Sequence, residues 1–354
     1  MTAPASPLPA ARLADVAGQA RVSEATVSRV LNGKAGVADS TRQRVLAALD
    51  VLGYERPVRL RPRSAGLVGL VIPELTNPIF PAFAQVIEQS LTGYGYTPVL
   101  GTQMPGGATE DELVDQFVER AVTGIIFLSG LHADLTADPA RYARLGGRGV
   151  PFVLINGYNA RITAPFVSPD DRAAARIAVR HLRALGHERI GLAVGPDRFV
   201  PVRRKAQGFA EELGEDGPGA ASGLVRHTLF TVEGGHAAAG PLLDEGCTGI
   251  VCGSDLMALG VVRAARQRGL DVPRDVSVVG YDDSELNAFT DPPLTTVRQP
   301  VRAMANAAVH TLLEEIRGNP VPNTEFVFQP ELVVRGSTGQ APAHAGDRSR
   351  ALSG

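Results

Sequence analysis

The sequence predicts a short all-α unit at the N-terminus followed by a larger α/β body built on two doubly wound parallel sheets. Residues 12–53 carry three successive apolar stripes at helical spacing. Beyond residue 66, short β-branched runs alternate with helix-period segments, the signature of strands covered on both faces by crossover helices. That alternation continues for roughly 270 residues, more strands than one open sheet ordinarily holds, so two sheets are expected. A chain of 354 residues with 44 % hydrophobic and 20 % charged residues has the length and core content for two or three such units.

In the first helix Leu13, Val16, Ala17 and Ala20 fall at i, i+3, i+4 and i+7. Ser23 caps a second helix from about Glu24 to Asn32, which Gly33 ends. Val27, Val30 and Leu31 share one side of it. Glu24, Ala25, Ser28, Arg29 and Asn32 occupy the opposite arc, without the Glu/Lys pairs of an ordinary solvated helix. The third helix repeats the stripe with Val45, Ala48, Leu49 and Leu52, has Asp39 or Ser40 as its cap, and stops at Gly53.

The stretch from Glu55 to Ala65 is too rich in Arg and Pro to build a core and is expected to be a linker. Strands are then predicted at Leu67–Ile72, Thr97–Gly101, Gly124–Leu128, Phe152–Ile155, Ile190–Val194, Leu229–Val232, Ile250–Cys252, Val276–Gly280 and Thr295–Val297. Helices are expected between them at about 79–93, 110–121, 171–185, 202–213, 234–245, 254–268 and 300–317. Residues from 339 onward are small and polar and read as a frayed tail.

Charge is distributed unevenly. The whole chain is at −2, but residues 1–66 hold ten basic and five acidic side chains, leaving the remainder at −7. A uniformly basic nucleic-acid coat is excluded, whereas a polyanion-binding module on a body with another task is favoured. Cys247 and Cys252 are the two cysteines and lie in or beside an apolar run, so a buried thiol pair is expected rather than a disulfide scaffold. No signal-like leader or membrane-length apolar run is found, which points to a cytoplasmic protein.

Enzyme signatures are absent: no phosphate-binding Gly-x-x-x-x-Gly-Lys, no His-Glu-x-x-His, no Gly-x-Ser-x-Gly, and no ligand spacing among the seven His. Gly217-Pro218-Gly219 with Gly223 imitates a dinucleotide fingerprint but lies between helix and strand in the wrong order. Neither a catalytic residue, a metal site nor a cofactor is expected.

The runs Leu13-Ala14-Asp15-Val16-Ala17, Val22-Ser23-Glu24-Ala25-Thr26-Val27-Ser28-Arg29-Val30-Leu31-Asn32-Gly33 and Leu52-Gly53-Tyr54 resemble the helix-turn-helix headpiece of the LacI/GalR family of transcriptional repressors. Further matches are Pro73-Glu74-Leu75-Thr76-Asn77-Pro78-Ile79-Phe80, Gly253-Ser254-Asp255-Leu256-Met257-Ala258-Leu259-Gly260, Val276–Asp283, and Pro293-Leu294-Thr295-Thr296-Val297. These are similar to that family's effector domain and extend the resemblance over nearly the whole chain.

The resemblance implies an all-α helix-turn-helix headpiece plus a two-lobed α/β effector domain like the periplasmic binding proteins. It implies a homodimer that grips a near-palindromic double-stranded DNA operator with two recognition helices. Glu24, Ala25 and Arg29 would face base edges, with Arg29 forking onto guanine, while Ser23, Thr26, Ser28 and Asn32 would reach phosphates. Ser23 would serve as a cap in either case, and Glu24 either accepts from cytosine or repels the backbone. Arg59 and Arg61 in the linker would contact DNA, and Leu60 is the candidate minor-groove wedge of a hinge helix that Pro62 keeps short.

Arg21 stands where family members usually have Gly, so its backbone is expected to be left-handed. A small-molecule effector of the sugar class is expected in a cleft between the lobes, at the carboxyl ends of the strands. Asn77, Ile79, Phe80, Lys205, Ser254, Asp255 and Asp282 are its candidate ligands, with nearby Asp197, Arg198 and Phe199 as secondary candidates. Taken singly, Asn77 also reads as a turn residue, Asp255 as a helix cap and Phe80 as core. Lys205 replaces the family's Arg in Lys205-Ala206-Gln207-Gly208-Phe209 and cannot make a planar fork.

The implied organisation is a leader at 1–11, headpiece at 12–54, hinge at 55–66 and effector domain at 67–338, with a tail at 339–354. Lobe 1 would span about 67–167 and 298–325, and lobe 2 about 168–297 and 326–338. Effector binding could release or promote operator binding. The rival readings are a transport solute-binding protein, which would leave residues 12–53 without a task, and an enzyme on a dinucleotide fold, which would need a glycine fingerprint where Gly69-Leu70-Val71-Ile72-Pro73 ends in proline.

Overall fold

A computed structural model describes residues 11–31, 36–54, 64–103, 106–214 and 224–342. The chain divides into two compact units, residues 1–65 and 66–354. Several expectations fall outside the described residues: Asn32, Arg59, Leu60, Arg61, the Gly217–Gly223 loop, the leader before residue 11, most of the hinge, and the tail beyond 342.

The N-terminal unit contains α1 (Leu13–Ala20), α2 (Glu24–Leu31) and α3 (Asp39–Val51). Its core joins Val16, Ala17 and Ala20 of α1, Val27 and Val30 of α2, and Val45 and Ala48 of α3. These are the aliphatic positions at helical spacing, and burying them against one another is what stabilises helices too short to persist alone. The turn between α1 and α2 rests on Arg21 at φ 53°, ψ 49°, the left-handed backbone expected there. Its N–H and that of Val22 close onto the Gly18 and Ala17 carbonyls. The cap of α3 departs from expectation. Ala38 occupies the cap position, so Asp39 lies inside the first turn, where its charge favours the helix dipole without a capping bond.

The second unit contains two six-stranded sheets. The first comprises β1 (Gly66–Ile72), β2 (Tyr96–Thr102), β3 (Gly124–Leu128), β4 (Phe152–Ile155), β5 (Phe166–Pro169) and β11 (Glu325–Phe328), in the order β11-β5-β4-β3-β1-β2 and wholly parallel. The second comprises β6 (Ile190–Val194), β7 (Val225–His227), β8 (Gly249–Cys252), β9 (Ser277–Asp282), β10 (Thr295–Arg298) and β12 (Glu331–Val333), in the order β12-β10-β9-β8-β6-β7. Only β12 runs antiparallel.

Helices cover both faces of each sheet. On the first, α4 (Ile79–Gly93) and α11 (Val301–Ile316) pack one face, and α5 (Glu110–Glu119) and α6 (Ala140–Gly147) the other. On the second, α7 (Asp171–Ala184) and α8 (Val200–Leu213) lie opposite α9 (Val232–Asp244) and α10 (Asp255–Gln267).

Three corrections follow. The strand expected at Leu229–Val232 is instead a loop running into α9, and the edge strand is Val225–His227. Thr231 caps that helix by accepting the Gly234 N–H at 3.0 Å. The last strand of lobe 1 ends at Phe328, so the return to lobe 2 comes after residue 328 rather than at 325. Residues 339–341, expected to begin a frayed tail, are tied down: the Ala341 N–H donates to the Leu185 carbonyl, and the Gly339 N–H donates to Ser277 Oγ. The cysteines are free and buried, and burial pushes the Cys247 thiol up to about 11.

Candidate functional site

On α2, Val27 and Val30 face the three-helix core, which leaves Ser23, Glu24, Ala25 and Arg29 exposed and Thr26 and Ser28 half-buried. Ser23 Oγ accepts the Thr26 N–H at 3.2 Å and lies 3.0 Å from its hydroxyl, fixing the first turn. No carboxylate ion-pairs with Arg29 among the described residues. α2 thus presents a polar first turn and, in its last turn, the exposed guanidinium of Arg29, groups of the kind that a helix in a major groove uses.

The second site is a cleft, open to solvent, with a cavity volume of about 190 Å³. Its wall comes from segments that leave the carboxyl ends of strands in both sheets. From lobe 1 come Glu74, Asn77, Ile79, Phe80 and Phe83 after β1, Ser129 after β3 and Asn156 after β4. From lobe 2 come Phe199 and Lys205 after β6, Phe230 after β7, Ser254 after β8, and Tyr281 and Asp282 ending β9. Gln299, just past β10, completes it.

Of the seven residues singled out from sequence, six line this cleft; Asp255 does not. Its Oδ1 accepts the Thr296 hydroxyl at 2.6 Å and its Oδ2 the Ser284 N–H at 2.8 Å, so it anchors the loop after β9. This contact also explains Gly280, where a Cβ would come within 2.5 Å of Asp255 Oδ1. Ser254 rather than Asp255 caps α10, through the Met257 N–H. Asn77 Oδ1 accepts the Ile79 N–H at 3.3 Å at the start of α4. Phe80 both lines the cleft and packs on the lobe 1 core.

Lys205 is engaged from behind. Its ammonium pairs with Asp171 and lies 3.9 Å from the centroid of the Tyr281 ring, whose hydroxyl donates to the same Asp171 oxygen at 3.2 Å. Burial pushes the Asp171 carboxyl above its usual range against the pull of Lys205. Asp282 is pushed higher still, by burial and by neighbouring Asp255, although Gln299 Nε2 donates to it at 2.6 Å. The Gln299 Oε1 and Asp171 Oδ2 atoms are buried without a partner. Acidic and acceptor groups thus outnumber available donors in and behind the cleft, which disfavours an anionic ligand and suits one that presents hydroxyls.

Ser129, Asn156, Gln299, Glu74, Tyr281, Phe83 and Phe230 were not singled out from sequence. For Ser129 and Asn156 the available signal was the one used for Asn77: a polar residue immediately after a strand. Three lining residues are also held in the left-handed half of backbone space, Ser129 at φ 48°, Asn156 at φ 71° and Asp282 at φ 116°. Such strain costs on the order of 1–3 kcal/mol per residue and concentrates at functional sites.

Comparison with known proteins matches residues 12–56 to the family described as bacterial regulatory proteins, lacI family, and residues 179–338 to the periplasmic binding protein-like domain. An uncharacterised HTH-type transcriptional regulator in the aml 5′ region of Streptomyces limosus is 76 % identical, over 93 % of this chain and 95 % of the relative. The HTH-type transcriptional regulator MalR of Streptomyces coelicolor is 67 % identical, over 95 % of this chain and 98 % of its own. Among solved structures, the transcriptional regulator CelR in complex with cellobiose superposes with a TM-score of 0.69 at 31 % identity, over 92 % of this chain and 99 % of that one. The lac repressor dimer bound to operator and the anti-inducer ONPF gives 0.66 at 28 % identity, over 93 % and 99 %.

Proposed function

The chain belongs to the LacI family of bacterial transcriptional regulators, and from that premise we propose that it represses transcription as a homodimer whose grip on a near-palindromic operator is set by a neutral sugar in the inter-lobe cleft. The observation that carries the sugar reading is the composition of the cleft. Phe80, Phe199, Phe230 and Tyr281 line it together with Glu74, Asn77, Asn156, Asp282 and Gln299, a mixture that suits the apolar faces and hydroxyl edges of a pyranose. CelR holds cellobiose and other family structures hold ribose, which supports the same ligand class here.

In this reading Asn77, Asp282 and Gln299 take the hydroxyls, Ile79 and Phe80 form the lobe 1 wall, and Ser254 contributes at the start of α10. Lys205 orients the Tyr281 ring with its charge already met by Asp171. Ser23, Glu24, Ala25, Thr26, Ser28 and Arg29 read the operator, with Asn32, Arg59, Leu60 and Arg61 adding contacts from outside the described residues. The domain divisions at about 54 and 66 follow the same family plan.

The test is a thermal-shift screen of the full chain against neutral mono- and disaccharides beside sugar phosphates and sugar acids, followed by operator release with each hit. Stabilisation by neutral sugars alone supports the reading. Stabilisation by anionic sugars overturns it.

A further inference from the structure

A feature at the mouth of the cleft has no part in the contacts described above. After β3, one turn of 3-10 helix (Leu131–Ala133) leads into Asp134 and Leu135, and lobe 1 holds this segment firmly. Glu110 Oε2 accepts the Leu131 N–H at 2.8 Å, His132 Nε2 donates to the Ile155 carbonyl at 3.0 Å, and Arg161 donates to the Leu135 carbonyl at 3.2 Å. From this platform the segment reaches lobe 2 twice. The Leu135 N–H donates to the Arg198 carbonyl at 2.9 Å, which sets Asp134 against Phe199 as an isolated antiparallel bridge, and Arg198 Nε donates to Asp134 Oδ2 at 2.8 Å.

The partners are matched for this role. The Asp134 side chain is 9 % exposed, and its other oxygen takes the Thr136 N–H and hydroxyl at 2.9 and 2.6 Å, so the carboxylate is oriented before Arg198 arrives. The Arg198 guanidinium lies over the Phe199 ring, 4.6 Å from its centroid, and Phe199 is itself part of the cleft wall. Ala133 lines the cleft from the other lobe. A second inter-lobe pair, Arg204 with Glu325, involves a strand whose chain crosses directly to lobe 2. Asp134 and Arg198 lie in no segment that passes between the lobes, so covalent connection does not bring them together.

We propose that Asp134 and Arg198 are positioning residues that form a latch across the cleft mouth, holding the lobes in register and fixing Phe199 as a wall of the effector site. The link from latch to effector rests on the cleft being that site; the latch itself does not. Whatever ligand bears on Phe199 and Ala133 then acts directly on the contact that joins the lobes. A ligand changes an equilibrium only through contacts that differ between its states, and this contact is present in one arrangement of the lobes and lost when they part.

The test is hydrogen–deuterium exchange of the full chain without ligand, comparing the wild type with Arg198→Ala, Arg198→Lys, Asp134→Asn and the Asp134→Asn/Arg198→Ala double variant. For a half-exposed ion pair the expected acceleration at 131–137 and 196–199 is up to about five-fold in Arg198→Ala and Asp134→Asn. The double variant should exchange no faster than either single one, Arg198→Lys should fall between wild type and Arg198→Ala, and the cores of both sheets should keep their protection. Unchanged exchange in the single variants, acceleration that multiplies in the double variant, or loss of protection across a whole lobe would each overturn the latch. A thermal shift with cellobiose as probe separates the two readings. A wild type that no neutral sugar stabilises sinks the effector assignment and leaves the exchange result standing.

Discussion

Replacing Lys205 with Ala tests whether this ammonium serves the effector or the fold. Asp171 is 1 % exposed, and one of its oxygens takes both Lys205 and the Tyr281 hydroxyl while the other has no partner. Without the ammonium, a buried carboxylate keeps a single phenol donor. Uncompensated buried charges of this kind cost about 3–5 kcal/mol, whereas removing both members of such a pair is often neutral. Lys205→Ala should therefore lower unfolding stability by about 3–5 kcal/mol, and Lys205→Met/Asp171→Asn should recover most of that loss.

The deficit should depend on pH, because Asp171 already titrates above its ordinary range through burial and loses its main counter-charge in the variant. A carboxyl with a raised folded pKa costs nothing while protonated in both states. The cost grows as pH climbs past the unfolded value toward the folded one, so the deficit should be larger at pH 8 than at pH 5. Urea denaturation followed by far-ultraviolet circular dichroism measures it, since the chain has no Trp. A loss below about 1 kcal/mol in the single variant, or an equal loss in the double variant, would refute the reasoning and return Lys205 to the effector as a direct ligand.

Arg29→Ala should relax sequence preference at one operator position by about 1–3 kcal/mol, read by binding to single-base operator variants; uniform weakening at every position would instead assign Arg29 to the phosphates. Gly260→Ala should destabilise lobe 2 by about 1–3 kcal/mol, because its Cβ would lie 2.0 Å from the Val232 carbonyl oxygen and force α9 and α10 apart, which urea unfolding would register. Asp282→Asn should raise the thermal midpoint of the ligand-free chain at neutral pH, where the wild-type group bears the cost of a raised pKa, and the gain should fade as pH drops and the wild-type carboxyl protonates. The same substitution should weaken sugar binding; a variant that is less stable and binds normally would remove Asp282 from the site.

The parts legible from sequence are those fixed by local chemistry. Strands buried on both faces read as continuous apolar runs, and Gly124–Leu128, Phe152–Ile155 and Ile190–Val194 were bounded to the residue. Four strands escaped: Val225–His227, Glu325–Phe328 and Glu331–Val333 are short, half-exposed edges with no apolar run to recognise, whereas Phe166–Pro169 is buried inside its sheet but is only four residues long and ends in Ser and Pro. Leu229–Val232 had the composition of a strand, but Thr231 caps a helix there, and a cap outweighs a four-residue propensity. At the cleft, strand-end polarity pointed to Asn77, Ser254 and Asp282, and all three line it. It could not separate Asp255 from them, because the difference lies in partners distant in sequence, Ser284 and Thr296. Lys205 illustrates the same limit, since Asp171 is brought to it only by the packing of α7 against α8.

On the proposed reading of the cleft as the effector site, its energies suit regulation rather than tight structure. Ser129, Asn156 and Asp282 hold strained backbones, Gln299 Oε1 lacks a donor, and Asp282 is a carboxyl pushed toward neutrality. Satisfying one or two such acceptors with ligand hydroxyls contributes about 0.5–1.5 kcal/mol each, more where the acceptor is charged. Coupling between an effector and a distant ligand typically requires about 1–3 kcal/mol of difference between the two states. Hydrogen bonds from one small sugar are therefore sufficient in magnitude, provided that they form only when both lobes contribute. Asn77 and Asn156 from one sheet, with Asp282 and Gln299 from the other, place acceptors on both sides of the opening, so a ligand bridging them gains its full energy only while the lobes stay together.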